Sequence, residues 1–226
     1  MPLILNIETS SPVCSVCIAQ DGKLLGYRET TEANSHARLL TTMIDELLSE
    51  HKISYQQIEA VAVSSGPGSY TGLRIGVSVA KGLCYALNLP LLSISTLQSI
   101  AENMRAKTNN SLSYYLAIMD AKRMDVFTAI FDQEGNEIAP PKAVTIDENF
   151  RKEISSFEKI GIGGNCLEKC KPIFNNDFVF IENTNCDSRS MVRIAEKRLL
   201  HKQIENTAYF EPFYLKEFEA RLKKNL

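Results

Sequence analysis

The 226-residue chain has no tryptophan, only three histidines (36, 51 and 201) and no surplus of basic over acidic residues. Each shortage excludes something. Without a basic surplus (25 Lys and Arg against 27 Asp and Glu, net charge −2) the chain cannot neutralise many phosphates, so nucleic-acid contact is expected mostly through a partner. Three scattered histidines leave no Ser–His–Asp or Cys–His arrangement to read, and His36 is followed four residues later by Leu40 rather than by a second ligand. No apolar tract approaches the ~18 residues of a membrane span. The N-terminus, Met-Pro-Leu-Ile-Leu-Asn-Ile-Glu, lacks the basic stretch of a secretory signal and reads as a first strand. The cytoplasm is the expected location. The six cysteines (14, 17, 84, 166, 170 and 186) are then expected to be reduced. Cys14 and Cys17 lie three apart on an alternating run, which places them on opposite faces of a strand, so they read as small buried apolar residues and no metal is expected.

What is present is a pattern used twice. Residues 3–8, 13–20 and 23–29 read as three strands, with Asp21-Gly22 as a hairpin turn. Asn34-Ser35 caps a helix whose apolar residues Leu39, Leu40, Met43, Ile44, Leu47 and Leu48 recur at helical spacing. A short strand, 60–63, and a helix, 71–87, complete the unit. The second half repeats it. Strands are expected at 114–119, 125–131 and about 137–145, and a short helix follows Asp147. Residues 157–162 read as a strand, Gly161–Gly164 as the opening of a helix, 178–182 as a strand and 188–203 as a helix. Two tandem βββαβα lobes facing each other across a cleft are the layout of the actin-like (ASKHA, ribonuclease H-like) α/β fold. The expected division is 1–100, 101–206 and a C-terminal helix over 207–226 that packs back on the first lobe, with residues 95–112 as the crossover.

Between the two elements at 60–63 and 71–87 lies Ser64-Ser-Gly-Pro-Gly-Ser-Tyr-Thr-Gly72. Such a loop offers backbone N–H groups and a positive helix end to an anion, although Gly-Lys-Ser/Thr is absent. Glu8, Thr9, Ser10, Gly66, Gly68, Ser69 and Asp120 are the candidates for a vestigial nucleotide site. Glu8 and Asp120, each ending the first strand of its half, would flank a magnesium–nucleotide in a kinase or ATPase, the alternative reading. Against it, Asp120-Ala-Lys-Arg-Met-Asp125 lacks the glycines of a second phosphate hairpin. The helix behind the loop carries Gly72, Gly76 and Ala80 four apart, a stripe that costs helix propensity unless another backbone packs on it. Thr71, Leu73, Ile75, Val79 and Leu83 surround it. These residues, with His36, Leu39, Leu40, Met43, Ile44 and Leu47 of the preceding helix, are expected to form a partner interface.

Ile4–Ser10, Ser35-His36, Val61–Gly82, Ser95–Ala101 and Met119–Arg123 together resemble the TsaB (YeaZ) family over essentially the whole chain. The resemblance implies a part in bacterial synthesis of threonylcarbamoyladenosine, the tRNA modification beside the anticodon in tRNAs reading codons that begin with A. It implies a non-catalytic subunit that pairs with the catalytic paralogue TsaD, is joined by the ATPase TsaE, reaches tRNA through the complex and forms a homodimer when alone. It implies no cofactor, apart from a weak or interface-shared nucleotide. The paralogue's metal-binding histidine pair has no counterpart, because Leu40 follows His36. Glu8 stands where the family usually has aspartate, and Ala37-Arg38 replaces a common Ser-Glu.

Overall fold

The computed structural model describes residues 2–32, 36–174 and 178–215. Strand β1 (Leu3–Glu8) is buried along its whole length. It lies between β2 (Cys14–Gln20), antiparallel, and β4 (Ala60–Gly66), parallel. A strand covered on both faces needs a near-continuous apolar run, and Leu-Ile-Leu-Asn-Ile supplies one. Asp21 and Gly22 both take positive φ (55° and 67°), the twist-matched hairpin turn into β3 (Lys23–Thr30). Helices α1 (His36–Glu50) and α2 (Tyr70–Leu87) cover one face of this sheet. The Asn34-Ser35 cap lies outside the described residues. His51 closes α1 through an Nδ1 contact of 2.9 Å to the Leu47 carbonyl oxygen.

One strand and one helix were not foreseen in the first half. β5 (Leu91–Ser95) pairs parallel to β4, and α3 (Thr96–Lys107) follows directly, with Ser95 capping it through the Gln98 amide. The stretch read as a crossover is therefore mostly regular structure. The second half runs β6 (Tyr114–Asp120), β7 (Asp125–Asp132), β8 (Glu137–Thr145), α4 (Glu148–Ile154), β9 (Ile160–Gly164), α5 (Leu167–Phe174), β10 (Val179–Ile181) and α6 (Ser188–Leu200). The unit is thus βββαβαβα, used twice. The strand orders β3-β2-β1-β4-β5 and β8-β7-β6-β9-β10 are the same topology. Gly161–Gly164 is itself strand β9, not a helix start. The cause is α3: a Cβ on Gly163 would lie 2.6 Å from Met104 Cγ, so glycine lets that helix lie against the strand.

The lobes exchange their last helices. α3 packs its Leu97, Ile100, Ala101 and Met104 against Tyr115, Ala117, Met119 and Phe127 of the second sheet. α6 returns Met191, Ile194 and Ala195 to Ile4, Ala62, Leu92 and Ile94 of the first. A boundary at residue 100 falls inside α3, because burial partners and chain order differ here. Residues 207–215 form no helix; they run along the first lobe, tied to it by backbone hydrogen bonds, while 216–226 lie outside the described residues. Among the described residues no helix is long and apolar enough to cross a membrane.

Candidate functional site

Six of the seven vestigial-site candidates converge at the carboxyl ends of β1 and β4. The turn after β1 is held from three sides. The Ser10 amide donates to Glu8 Oε1 at 2.7 Å, the Thr9 amide to Ser64 Oγ at 3.2 Å, and the Ser69 amide to the Ser10 carbonyl at 2.7 Å. Ser69 in turn caps α2, its hydroxyl accepting from the Gly72 amide at 3.2 Å. The glycine stripe explains the rest. A Cβ on Gly68 would meet the Ser10 carbonyl oxygen, one on Gly72 the Thr9 carbonyl oxygen, and one on Gly76 the Thr9 hydroxyl. The backbone that the stripe admits is this chain's own β1–β2 turn.

That corrects the expected interface. Leu40, Met43, Ile44, Leu47, Gly72, Leu73, Gly76 and Ala80 are all buried inside the first lobe. Their small or apolar character reflects packing with β1, β2 and β4 and with the turn after β1. A different row of α2 stays partly open. Ile75, Val79 and Leu83, four apart, lie beside α1's Leu39 at the edge of the same core, with Thr71 exposed at the helix start. Gly82 next to them has open space where a Cβ would be, and Tyr85 is 89% exposed. His36 is half-buried, its Nε2 3.0 Å from the Ser11 carbonyl oxygen. It pins α1 to the β1–β2 turn.

Glu8 and Asp120 do not form a pair. Glu8 is fully buried, and Thr9 and Ser10 beside it expose nothing. Desolvation by that burial raises the Glu8 carboxyl above its usual range, against the opposing hydrogen bonds from Ser10 and Ser64. Among the described residues its Oε2 has no hydrogen-bond partner. Asp120 sits on the second lobe's surface. Partial burial works against its ionisation, but Lys169 and the Lys122 amide hold it below the ordinary carboxylate range. One carboxyl is shifted up by burial and the other down by its lysine, in separate surroundings. All six cysteines are buried free thiols, and desolvation pushes Cys14, Cys17, Cys166 and Cys170 up to about 12. Among the described residues no three His, Cys, Asp or Glu are grouped to hold a metal ion.

Sequence reasoning missed Ser64, Cys186 and Ser188. Cys186 Sγ lies 3.6 Å from Ser10 Oγ, and the Ser188 amide donates to Ser15 Oγ at 3.0 Å. They bring the start of α6 onto the first hairpin from the far end of the chain, and no local pattern marks them.

A family model described as TsaD: tRNA N6-adenosine threonylcarbamoyltransferase matches residues 30–224. The chain belongs to this family. Within the TsaD family its relatives carry a second name. It is 33% identical over 135 residues to the tRNA threonylcarbamoyladenosine biosynthesis protein TsaB of Escherichia coli K12, a match covering 60% of this chain and 57% of that protein. It is 29% identical over 221 residues to the TsaB of Buchnera aphidicola subsp. Baizongia pistaciae, covering 95% and 98%. YeaZ from Pseudomonas aeruginosa shares the fold at TM-score 0.79 and 21% identity, over 95% of this chain and all of that one. A ROK family protein from Streptococcus pneumoniae superposes at TM-score 0.54 with 10% identity over 89% of this chain and 99% of that one, a likeness of fold.

Glu8 yields a pH prediction. A carboxyl whose folded pKa is raised contributes stability that is complete below its unfolded value and is lost as pH rises through the folded value. Glu8→Gln keeps the acceptor for the Ser10 amide and removes the titration. Its melting temperature should match wild type below about pH 4.5 and exceed it as pH rises through the folded value. Glu8→Ala, which orphans the buried Ser10 amide, should lose about 1–3 kcal/mol throughout. A wild-type and Glu8→Gln difference that does not change with pH would refute an upward shift of the Glu8 carboxyl.

Proposed function

We propose that this chain is a non-catalytic subunit required for threonylcarbamoyl modification of the adenosine beside the anticodon in tRNAs that read A-starting codons. It acts by seating the open row of α2 (Ile75, Val79 and Leu83, with Leu39 of α1) against its catalytic paralogue TsaD, in a complex that the ATPase TsaE joins. A second copy occupies the same face when TsaD is absent. The observation that carries this reading is the fate of the first hairpin. A nucleotide-using enzyme of this architecture needs hairpin amides open to the cleft, whereas here Thr9 and Ser10 are sealed under α2. A family fold that keeps its architecture and buries its phosphate hairpin is suited to docking rather than turnover. The names borne by the E. coli and Buchnera relatives support the pathway. The charge of −2 supports indirect contact with tRNA.

Reconstitution tests it. TsaD, TsaE, tRNA and the threonylcarbamoyl adenylate are combined with and without this chain, and modified nucleoside is quantified. Product should form only with the chain present, and the chain alone should form none. Equal product in its absence overturns the proposal.

A further inference from the structure

Residues 205–215 lack regular secondary structure, yet they are anchored at several points on three different parts of the molecule. At the start, the Glu205 amide donates to the Leu91 carbonyl at 2.8 Å, and Ser93 Oγ donates to the Glu205 carboxylate at 2.6 Å. Lys81 of α2 donates to the carbonyl oxygens of Ala208 at 3.0 Å and Phe210 at 3.1 Å. The Phe210 ring rests on the first lobe's core. Farther on, the Phe213 amide donates to the Ser65 carbonyl at 2.7 Å, and the Phe213 carbonyl oxygen lies 2.5 Å from where a Gly66 Cβ would stand. Tyr214 packs on Tyr70 with ring centroids 4.9 Å apart. Leu215 then joins the core formed by α3 and the second sheet. The segment starts on the edge of the first sheet, crosses the glycine-rich loop and ends in the other lobe.

We infer that residues 205–215 are a latch that sets the angle between the two lobes, and that releasing it lets them move apart. The two lobes are joined by the exchanged helices α3 and α6, and lobes of one chain that meet across an interface can shift relative to one another. Residues 205–215 add a further tie beside α3 and α6 and restrict that motion. Its anchors are hydrogen bonds, the Tyr70–Tyr214 ring contact and the partly buried side chains of Phe210 and Leu215 at the rims of the two cores, each weak by itself, so the latch can open without unfolding either core. Gly66 is required because the latch backbone occupies its Cβ position and its φ is +107°. Two of the anchors, Tyr70 and Lys81, sit on α2, so whatever presses on that helix also loads the latch. The latch itself does not depend on which partner docks there.

Pulsed electron paramagnetic resonance on the full chain measures the angle directly. Spin labels go on Thr42→Cys in α1 and Lys152→Cys in α4, both exposed, while the six native thiols are buried. Lys81→Met, Phe213→Pro and Leu215→Asp each remove one anchor. Circular dichroism verifies folding, and Lys81→Met, which touches no core, carries the test should Phe213→Pro fail to fold. The interlobe distance distribution should broaden and shift in each folded variant. Amides of Ser64–Thr71 should exchange about five-fold faster, the loss of one hydrogen bond's protection. A distribution unchanged in the folded variants overturns the latch, as does a wild-type distribution as broad as theirs.

Discussion

Gly76→Leu should unfold or severely destabilise the monomer rather than merely abolish association. The Cβ alone would fall on the Thr9 hydroxyl and within 3.2 Å of Thr9 Cβ and Cγ2. Three further carbons would have to enter a turn whose amides are committed to Glu8 and Ser64. Overpacking a well-packed core usually costs about 1–3 kcal/mol, and more where backbone must shift. A loss of about 3 kcal/mol or more lowers the melting temperature by roughly 6–12 °C in a chain of this size. Gly82 is the control on the same helix. Among the described residues no atom lies within 4 Å of its Cβ position, so Gly82→Ala should leave the fold intact and gain up to about 1 kcal/mol of helix propensity. Thermal denaturation of both variants decides the matter. If Gly76→Leu melts like wild type, the stripe does not seat the hairpin.

Val79→Asp should do the opposite, sparing the fold and destroying docking. Val79 is only partly buried at the rim of the α1–α2 core, so the new carboxylate can stay hydrated in the monomer. Opposite a partner it would be desolvated at the centre of the row that also holds Ile75 and Leu83. Truncations and charges at such centres cost about 2–4 kcal/mol of binding, which is roughly 30- to 1,000-fold in Kd. Light scattering should show TsaD and the variant eluting separately, with the melting temperature within a few degrees of wild type. Product formation should fall in step when both proteins are below the weakened Kd. Undiminished association would remove α2's outer row from the interface. Ile44, one helix turn beyond Leu40, is 1% exposed, so a charge there would report on folding and say nothing of docking.

Most of the fold was legible because its signals are local. The apolar run of β1, the helical spacing in α1 and α2, and the positive-φ Asp21-Gly22 turn are each written within a few residues. β5 and α3 escaped because Leu91–Ser95 is short and runs straight into a helix cap, with no turn residues to separate them. The C-terminal segment escaped for another reason. Its hydrogen-bond partners are Leu91, Ser65 and Lys81, far away in the chain. A helix was expected there because composition alone carries no record of them.

The glycine-rich segment shows the division most clearly. The amino-acid order alone determined that a strand, a capped turn and a helix with a small-residue stripe stand in a row, since each depends on neighbours a few residues apart. It also determined that something must pack closely on Gly72 and Gly76, because glycine is otherwise unfavourable in a helix. What packs there was decided only by tertiary structure. Sheet pairing of β1 with β4 carries Thr9 and Ser10 onto the helix and uses the stripe internally. Side chains on a helix declare their size and polarity; which face meets this chain and which meets another depends on where distant strands bring their turns.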